Sequence, residues 1–243
     1  MKIRILLVVL AMLFIRANLV DKVTVFMVGD STMANKKPEK SPETGWGQVF
    51  GSFFNDNVRI VNTAMDGRST KRFVNEGRWD RVLERLKPND YVFIQFGHND
   101  AKLDKEGTGV SPQEFETYLV KFVNDCRAKK AIPVLITPVM RRSFRNNKFY
   151  DSHGEYPQVT KKVAKDMDVA LIDLHQKSEV LISGLGSEPS KKLFMWLDSG
   201  VNANYPSGKR DNTHFNEYGA QQIAQLVVNE IKQSNLDLKK YIK

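Results

Sequence analysis

The sequence predicts an α/β protein in which helices cover both faces of a parallel β-sheet. Five short runs are rich in Val, Ile and Phe and lack the alternation of a strand with one wet face, so we expect strands buried on both sides. Helical patterns separate the runs, and this order is typical of a parallel sheet. The expected strands are Val23–Val28, Val58–Ala64, Tyr91–Phe96, Ile132–Val139 and Val169–Leu174.

The helical patterns lie between and after these strands. Pro112–Lys130 precedes the fourth strand, with Ser111 as its N-cap and Glu114 at the position that completes a capping box. Residues 66–77 form a loop between the second strand and the helix that follows it. No repeat or linker interrupts this order, so residues 21–243 are expected to form one domain. The other expected helices are Trp46–Phe54, Trp79–Leu86, Gln158–Asp166 and Glu217–Gln233.

The N-terminus is predicted to be a signal peptide ending near residue 20. Met1–Arg4 is basic, and Ile5–Ile15 is continuously apolar. An apolar run this short suits the central region of a signal peptide better than a bilayer span, which needs about 20 residues. We therefore expect a secreted or periplasmic protein that is free of the membrane once the signal is removed. An uncleaved membrane anchor is the alternative.

Composition and charge are those of an ordinary globular protein with a basic excess. The chain is 41% hydrophobic, which allows a sizeable core, and its formal net charge is +9. A basic excess favours polyanionic partners. No helix carries a basic stripe and no nucleic-acid motif is present, so no nucleic-acid partner is expected. An acidic polysaccharide is the other candidate partner, and a solvated basic surface is the alternative. Cys126 is the single cysteine; it lies in a helical pattern and is expected to be a buried small hydrophobe.

Polar segments follow three of the predicted strands at the point where each strand ends. In open parallel sheets, ligands bind beyond the carboxyl ends of the strands, so these segments should share one rim. A fourth polar segment precedes the last helix. The four segments are Gly29-Asp30-Ser31-Thr32, Asp66-Gly67-Arg68, Gly97-His98-Asn99-Asp100 and Asp211-Asn212-Thr213-His214.

Together these segments contain the groups needed for acyl transfer through a serine ester. Ser31 is the candidate nucleophile, His214 the base that takes its proton, and Asp211 the carboxylate that orients the imidazole. The backbone N–H groups of Ser31 and Gly67 and the side-chain amide of Asn99 are candidate donors to an oxyanion. Each residue also has a purely structural interpretation, as a helix cap, a turn former or an exposed side chain.

The order of these residues resembles the S-G-N-H hydrolases, also called G-D-S-L esterases, over about residues 23–231. Several shorter sequence motifs are similar to those of the rhamnogalacturonan acetylesterases. That resemblance implies a flavodoxin-like three-layer α/β/α sandwich with a five-stranded parallel sheet, and a serine esterase without metal or cofactor. It also implies removal of acetyl groups from pectic polysaccharide. The motifs that carry this second resemblance include Gly29–Ala34, Gly45-Trp46-Gly47, Asn62-Thr63-Ala64, Gly97–Asp100 and Gly219-Ala220.

Evidence for the substrate lies in the long loop after the fourth strand. Arg141, Arg142 and Arg145 cluster there among aromatic residues, and a guanidinium suits a galacturonate carboxylate. A solvated charged loop is the alternative. Trp46 and Phe73 are expected in the core, and Asp100 is expected to brace the turn at Asn99.

Three other functions compete with a pectin acetylesterase. One is an esterase for another acetylated glycan such as xylan, and a second is a sugar-binding module without catalysis. The third is a metal-dependent phosphoesterase that would use Asp30, His98, Asn99 and His214. The chain has four histidines and no closely spaced pair of them, whereas a two-metal site needs many ligands.

Overall fold

The computed structural model describes residues 22–243 of the protein. The predicted signal peptide, residues 1–20, lies outside the described residues. Within residues 22–243, every helix is too short or too polar to cross a bilayer.

The chain alternates between strands and helices for most of its length. The strands are β1 (Val23–Gly29), β2 (Val58–Asn62), β3 (Tyr91–Gln95), β4 (Ile132–Ile136), β5 (Phe144–Arg145), β6 (Lys148–Phe149), β7 (Ala170–Ile172), β8 (Phe194–Leu197) and β9 (Lys209–Phe215). The α-helices are α1 (Trp46–Val49), α2 (Thr70–Asn75), α3 (Arg78–Leu83), α4 (Pro112–Ala128), α5 (Tyr156–Asp166), α6 (Leu174–Leu185) and α7 (Glu217–Gln233).

Five of the strands form one parallel sheet in the order β2-β1-β3-β4-β7. This confirms the predicted fold class, a flavodoxin-like sheet of five parallel strands. The chain reverses its winding direction between β1 and β3, which pair from Val25 with Tyr91 to Gly29 with Gln95. A reversal of this kind opens a crevice outside the carboxyl ends of the two strands.

Alternate residues of the strands enter two separate hydrophobic layers. From β1, Val25 and Met27 join one layer, while Phe26 and Val28 join the other. The first layer contains α1, α6 and α7, and the second contains α2, α3, α4 and α5. The three inner strands β1, β3 and β4 are therefore dry on both faces, which explains why they lack polar alternation. The edge strands β2 and β7 are only partly buried, contrary to the sequence expectation, and expose Arg59 and Leu171. Truncating a fully buried ring such as that of Phe93 should cost about 3–5 kcal/mol.

Several sequence expectations about local structure are confirmed. Trp46 and Phe73 are fully buried, and Cys126 is buried, where desolvation raises the pKa of its thiol to about 12. Ser111 and Glu114 form the predicted capping box at the start of α4, because each accepts a hydrogen bond from the other's backbone N–H.

Three elements differ from the sequence expectations. The loop predicted for residues 66–77 contains the short helix α2, which Ser69 caps. The fifth strand ends before Leu174, and Leu174–Leu185 forms α6, capped by Asp173. Strand β9 pairs with β8 in a separate antiparallel sheet. The Asp211–His214 segment, expected only to precede the last helix, therefore lies on a strand.

Candidate active site

Ser31 lies in a tight turn directly after β1. A Cβ on Gly29 would meet the Gln95 carbonyl at 2.6 Å, so glycine is required where β1 passes β3. The backbone N–H and hydroxyl of Thr32 donate to Asp30 Oδ1 at 2.9 and 2.8 Å. Gln95 Nε2 also donates to the Thr32 hydroxyl at 2.7 Å. The turn that presents Ser31 is therefore held by buried hydrogen bonds on the side away from solvent.

The Ser31 hydroxyl lies beside the imidazole of His214, although 183 positions separate them in the chain. His214 Nε2 is 2.9 Å from Ser31 Oγ, and His214 Nδ1 is 2.8 Å from Asp211 Oδ2. The ionised Asp211 carboxylate can accept hydrogen bonds but cannot donate them, so the imidazole proton lies on Nδ1. The Nε2 lone pair is therefore available to the Ser31 hydroxyl proton. The three side chains form one continuous hydrogen-bonded chain from carboxylate to hydroxyl.

The second oxygen of Asp211 is fixed by the backbone. Asp211 Oδ1 accepts from the N–H groups of Thr213 and His214 at 2.8 and 3.0 Å. Burial opposes the charge on Asp211, but the His214 contacts and these backbone donors outweigh burial and lower its pKa below the usual range. Asp211 is therefore ionised wherever the protein is folded near neutral pH.

Three N–H donors that could hold an oxyanion face the same cleft as Ser31. The backbone N–H groups of Ser31 and Gly67 donate no hydrogen bond to any residue in the described part of the chain. Asn99 Nδ2 uses one N–H on the Arg68 carbonyl at 3.1 Å, and Asn99 Oδ1 accepts from Lys102 at 2.8 Å. The lysine fixes the amide orientation, so the second N–H of Asn99 is available to a ligand.

Gly67 is required for its backbone conformation. Its φ is +74°, in the left-handed region, and no atom lies within 4 Å of where a Cβ would stand. An L side chain is disfavoured at this φ even with open space around it, so the backbone conformation alone favours glycine here.

The cleft around Ser31 carries both signs of charge, and most of its carboxylates are already paired. Asp66 binds Lys36 and Lys40 at 2.5 and 2.6 Å, and Lys36 also binds Glu43 at 2.9 Å. Lys102 makes no ion pair with any described carboxylate. The cleft is lined by Ser31, Glu39, Lys40, Glu43, Asp66, Gly67, Asn99, Lys102, Tyr205, Lys209, Asp211 and His214.

None of the three arginines singled out from the sequence lines this cleft. Arg141 lies behind it and donates to the His98 carbonyl and to Ser152. Arg142 donates to the Asn212 side chain at 2.9 Å and to the Ser187 carbonyl, and so anchors β9. Arg145 is exposed and stacks over a tyrosine ring of the loop. The lysines of the cleft were missed; Lys102, three residues after Asn99, is the one that spacing could have indicated.

Buried polar residues brace the turn that carries Asn99. Asp100 accepts from the Gly97 N–H at 3.0 Å and from the N–H and hydroxyl of Thr70 at 2.8 and 2.6 Å, so it braces the turn as predicted. His98 Nδ1 lies 3.1 Å from Asp30 Oδ2. Burial disfavours the charge of Asp30, but the His98 and Thr32 donors lower its pKa to about 2.

A hydroxyl, an imidazole and free N–H donors at the carboxyl edge of this sheet are the groups that a serine esterase needs. The chain is a member of the GDSL-like Lipase/Acylhydrolase family, which matches residues 27–222. This confirms the resemblance to the S-G-N-H hydrolases.

Two relatives that cover most of the chain come from Bacillus subtilis. The chain is 43% identical over 222 residues to rhamnogalacturonan acetylesterase RhgT, covering 90% of this chain and 94% of the relative. It is 35% identical to the probable rhamnogalacturonan acetylesterase YesY, covering 88% of this chain and 94% of the relative.

Solved structures share the fold. The Bacillus subtilis protein YxiM superposes with a TM-score of 0.76 at 27% identity, covering 89% of this chain and 58% of that longer chain. The acetylxylan esterase Axe2 of Geobacillus stearothermophilus superposes with a TM-score of 0.63 at 20% identity, covering 90% of this chain and 97% of the other, which supports the fold alone.

Proposed function

We propose that the protein is a secreted serine esterase that removes acetyl groups from pectic polysaccharide of the rhamnogalacturonan type. The observation that carries the chemistry is the hydrogen-bonded chain Asp211–His214–Ser31, with contacts of 2.8 and 2.9 Å. The substrate class is supported by RhgT and YesY, whose names specify rhamnogalacturonan acetyl groups. The catalytic domain is assigned to residues 21–243.

The reaction begins when Ser31 Oγ attacks the acetyl carbonyl carbon and His214 Nε2 takes the hydroxyl proton. The carbonyl oxygen becomes negative and is held by the N–H groups of Ser31 and Gly67 and the amide of Asn99. His214 returns the proton to the departing sugar oxygen, which leaves acetyl-Ser31 and a free sugar hydroxyl. Water then attacks the acyl-enzyme with His214 as base, and acetate is released. No step uses a metal or a cofactor.

One ammonium group in the cleft is placed to meet an acidic substrate. The Lys102 ammonium donates to Asn99 Oδ1 and has no carboxylate partner among residues 22–243, whereas Lys209 lies 3.8 Å from Asp211. A carboxylate of the substrate backbone would give Lys102 a partner near the scissile ester. This favours pectic substrates over acetylated xylan, the substrate in the name of the fold neighbour Axe2.

Acetate release from matched substrates tests the proposal. Acetylated rhamnogalacturonan and acetylated xylan are incubated with the wild-type protein and with Ser31→Ala. We expect release from the pectic substrate by the wild type, and none above background by the variant. Release that survives in Ser31→Ala, or the absence of release from every acetylated glycan tested, would overturn the assignment. Faster release from xylan would keep the esterase and refute the substrate.

The Lys102→Gln variant tests the charge argument separately. Because Lys102 also supports Asn99, its loss should slow both substrates, but the loss of a substrate carboxylate contact should raise KM on the pectic substrate alone. Equal changes in KM on both substrates would refute a role for Lys102 in binding an acidic sugar.

The proposed secretion depends on the apolar run near the N-terminus. We expect the protein recovered from the periplasm or medium of an expressing bacterium to start near residue 20. An intact N-terminus in the membrane fraction would favour the uncleaved anchor.

A further inference from the structure

Three residues outside the proposed catalytic machinery place metal-ligating atoms together. Asp151 and His153 lie in the loop between β6 and α5, and His175 lies on the first turn of α6. Asp151 Oδ1 is 3.1 Å from His153 Nδ1, and Asp151 Oδ2 is 3.2 Å from His175 Nε2. One ligand atom from each of the three residues lies within 4.8 Å of the others. The arrangement joins two parts of the chain that share no regular secondary structure.

His175 Nε2 is a buried polar atom without a hydrogen-bond partner among the described residues. The His175 side chain is 8% exposed, and the nearby Asp151 oxygen at 3.2 Å lies outside hydrogen-bonding geometry. Leaving such an atom unsatisfied costs about 1–3 kcal/mol, so its position needs a reason. Asp151, by contrast, is 41% exposed, which gives an ion access from solvent.

A second observation comes from the contact between two buried imidazoles. His153 Nε2 lies 3.3 Å from His98 Nε2. His98 Nδ1 faces the carboxylate of Asp30, and His153 Nδ1 faces that of Asp151. If each Nδ1 carries a proton for its carboxylate, two neutral rings point a pair of bare lone pairs at each other. The contact lacks one proton between its two nitrogens.

A cation beside Asp151 removes both difficulties at once. Bound to His153 Nδ1, it would displace the proton of that nitrogen and leave the ring protonated on Nε2. That N–H then donates to His98 Nε2, and His98 Nδ1–H donates to Asp30. The same cation would accept the lone pair of His175 Nε2. Every polar side-chain atom in the series Asp30, His98, His153, Asp151 and His175, called the row below, would then be paired.

We propose that Asp151, His153 and His175 form a structural binding site for a divalent transition metal of the Zn²⁺ type. One carboxylate and two imidazoles suit such an ion, with water in the fourth position. Ligand atoms about 2.1 Å from a tetrahedral ion are about 3.4 Å apart, whereas one ligand atom from each of these residues lies within 4.8 Å of the others, so a small movement of the exposed Asp151 side chain would close the site. The three residues lie outside the cleft at Ser31, so the ion stabilises the fold and takes no part in ester cleavage.

The consequence is a link between this loop and the turn of the nucleophile. The row runs from the site through His153 and His98 to Asp30, whose carboxylate also holds Thr32, the residue after Ser31. The ion would tie residues 151–153 to the start of α6 and fix the proton positions behind the nucleophile turn.

Metal titration of the purified protein tests the site directly. The purified protein is stripped with a chelator, and Co²⁺ and then Zn²⁺ are added. We expect one Co²⁺ per chain with the visible absorption of a tetrahedral ion, displacement by Zn²⁺, and a higher Tm with Zn²⁺. Because binding and Tm are measured without substrate, and also in Ser31→Ala, the result does not depend on the esterase proposal.

Matched variants locate the ion. His175→Gln and Asp151→Asn should each weaken binding on the order of 100-fold, while Glu155→Gln, an exposed carboxylate change nearby, should leave it unchanged. Failure of the wild-type protein to bind either metal stoichiometrically would overturn the proposal, and an extra proton shared by His98 and His153 would then be the explanation of their contact. Binding that is equally tight in His175→Gln would also overturn it.

Discussion

Replacing Asp211 by Asn should abolish most of the activity while leaving the fold intact. Asp211 Oδ1 accepts from two backbone N–H groups, so the amide oxygen of Asn must take that place, since the reverse orientation would set N–H against N–H. The amide N–H₂ then faces His214 Nδ1. Nδ1 must then accept a hydrogen bond from the amide, so it can no longer carry the imidazole proton. That proton moves to Nε2. An imidazole protonated on Nε2 cannot take the proton of Ser31.

The expected fall in kcat follows from the loss of His214 as a base. An equivalent change in a serine protease lowers kcat about 10⁴-fold, which corresponds to about 5.5 kcal/mol of transition-state stabilisation. We expect a similar fall in kcat here, with little change in KM, because Asp211 is held by the protein's own groups. The assay is acetate release or hydrolysis of a chromogenic acetate ester, measured with Ser31→Ala as the baseline.

Two controls make the result decisive. Far-UV circular dichroism and Tm should be close to those of the wild type, because two of the three hydrogen bonds of Asp211 survive in Asn. A kcat within tenfold of the wild type in a folded Asp211→Asn protein would show that Asp211 does not set the tautomer of His214, and the triad assignment would fail.

Two further outcomes are expected. Gly67→Ala should cost about 1–2 kcal/mol in urea unfolding through its φ alone, and a variant as stable as the wild type would refute that reason. Folding lowers the pKa of Asp30 from 3.8 to about 2, so its contribution of about 2 kcal/mol is present above pH 3.8 and lost as pH falls through 2. Asp30→Asn should flatten the dependence of unfolding free energy on pH in that window, and an unchanged dependence would count against it.

The central sheet could be predicted because its signal is local. Each strand is a short apolar run, and burial on both faces erases alternation wherever helices cover the sheet, as Val25 and Phe26 show by entering opposite layers. The rim position of Ser31, Gly67 and Asn99 then follows from the rule that parallel strands end at one edge.

The remaining elements depend on contacts that local patterns do not encode. Helix α2 is six residues long and is held by its cap and by Phe73 in the core. Strand β9 alternates poorly and is ordered by Arg142 and by β8. The meeting of His98, His153 and His175 was equally hidden, because counting closely spaced histidines cannot detect rings that loops bring together from distant positions.

The arrangement of β8 and β9 has a consequence for how activity is lost. The proposed base His214 is carried by a two-stranded ribbon outside the main sheet, whereas the proposed nucleophile Ser31 directly follows β1 of the main sheet. Phe194 and Phe215 anchor the ribbon in the first hydrophobic layer, so the imidazole cannot leave the hydroxyl without unpacking that layer. Activity and tertiary structure should therefore be lost together on heating.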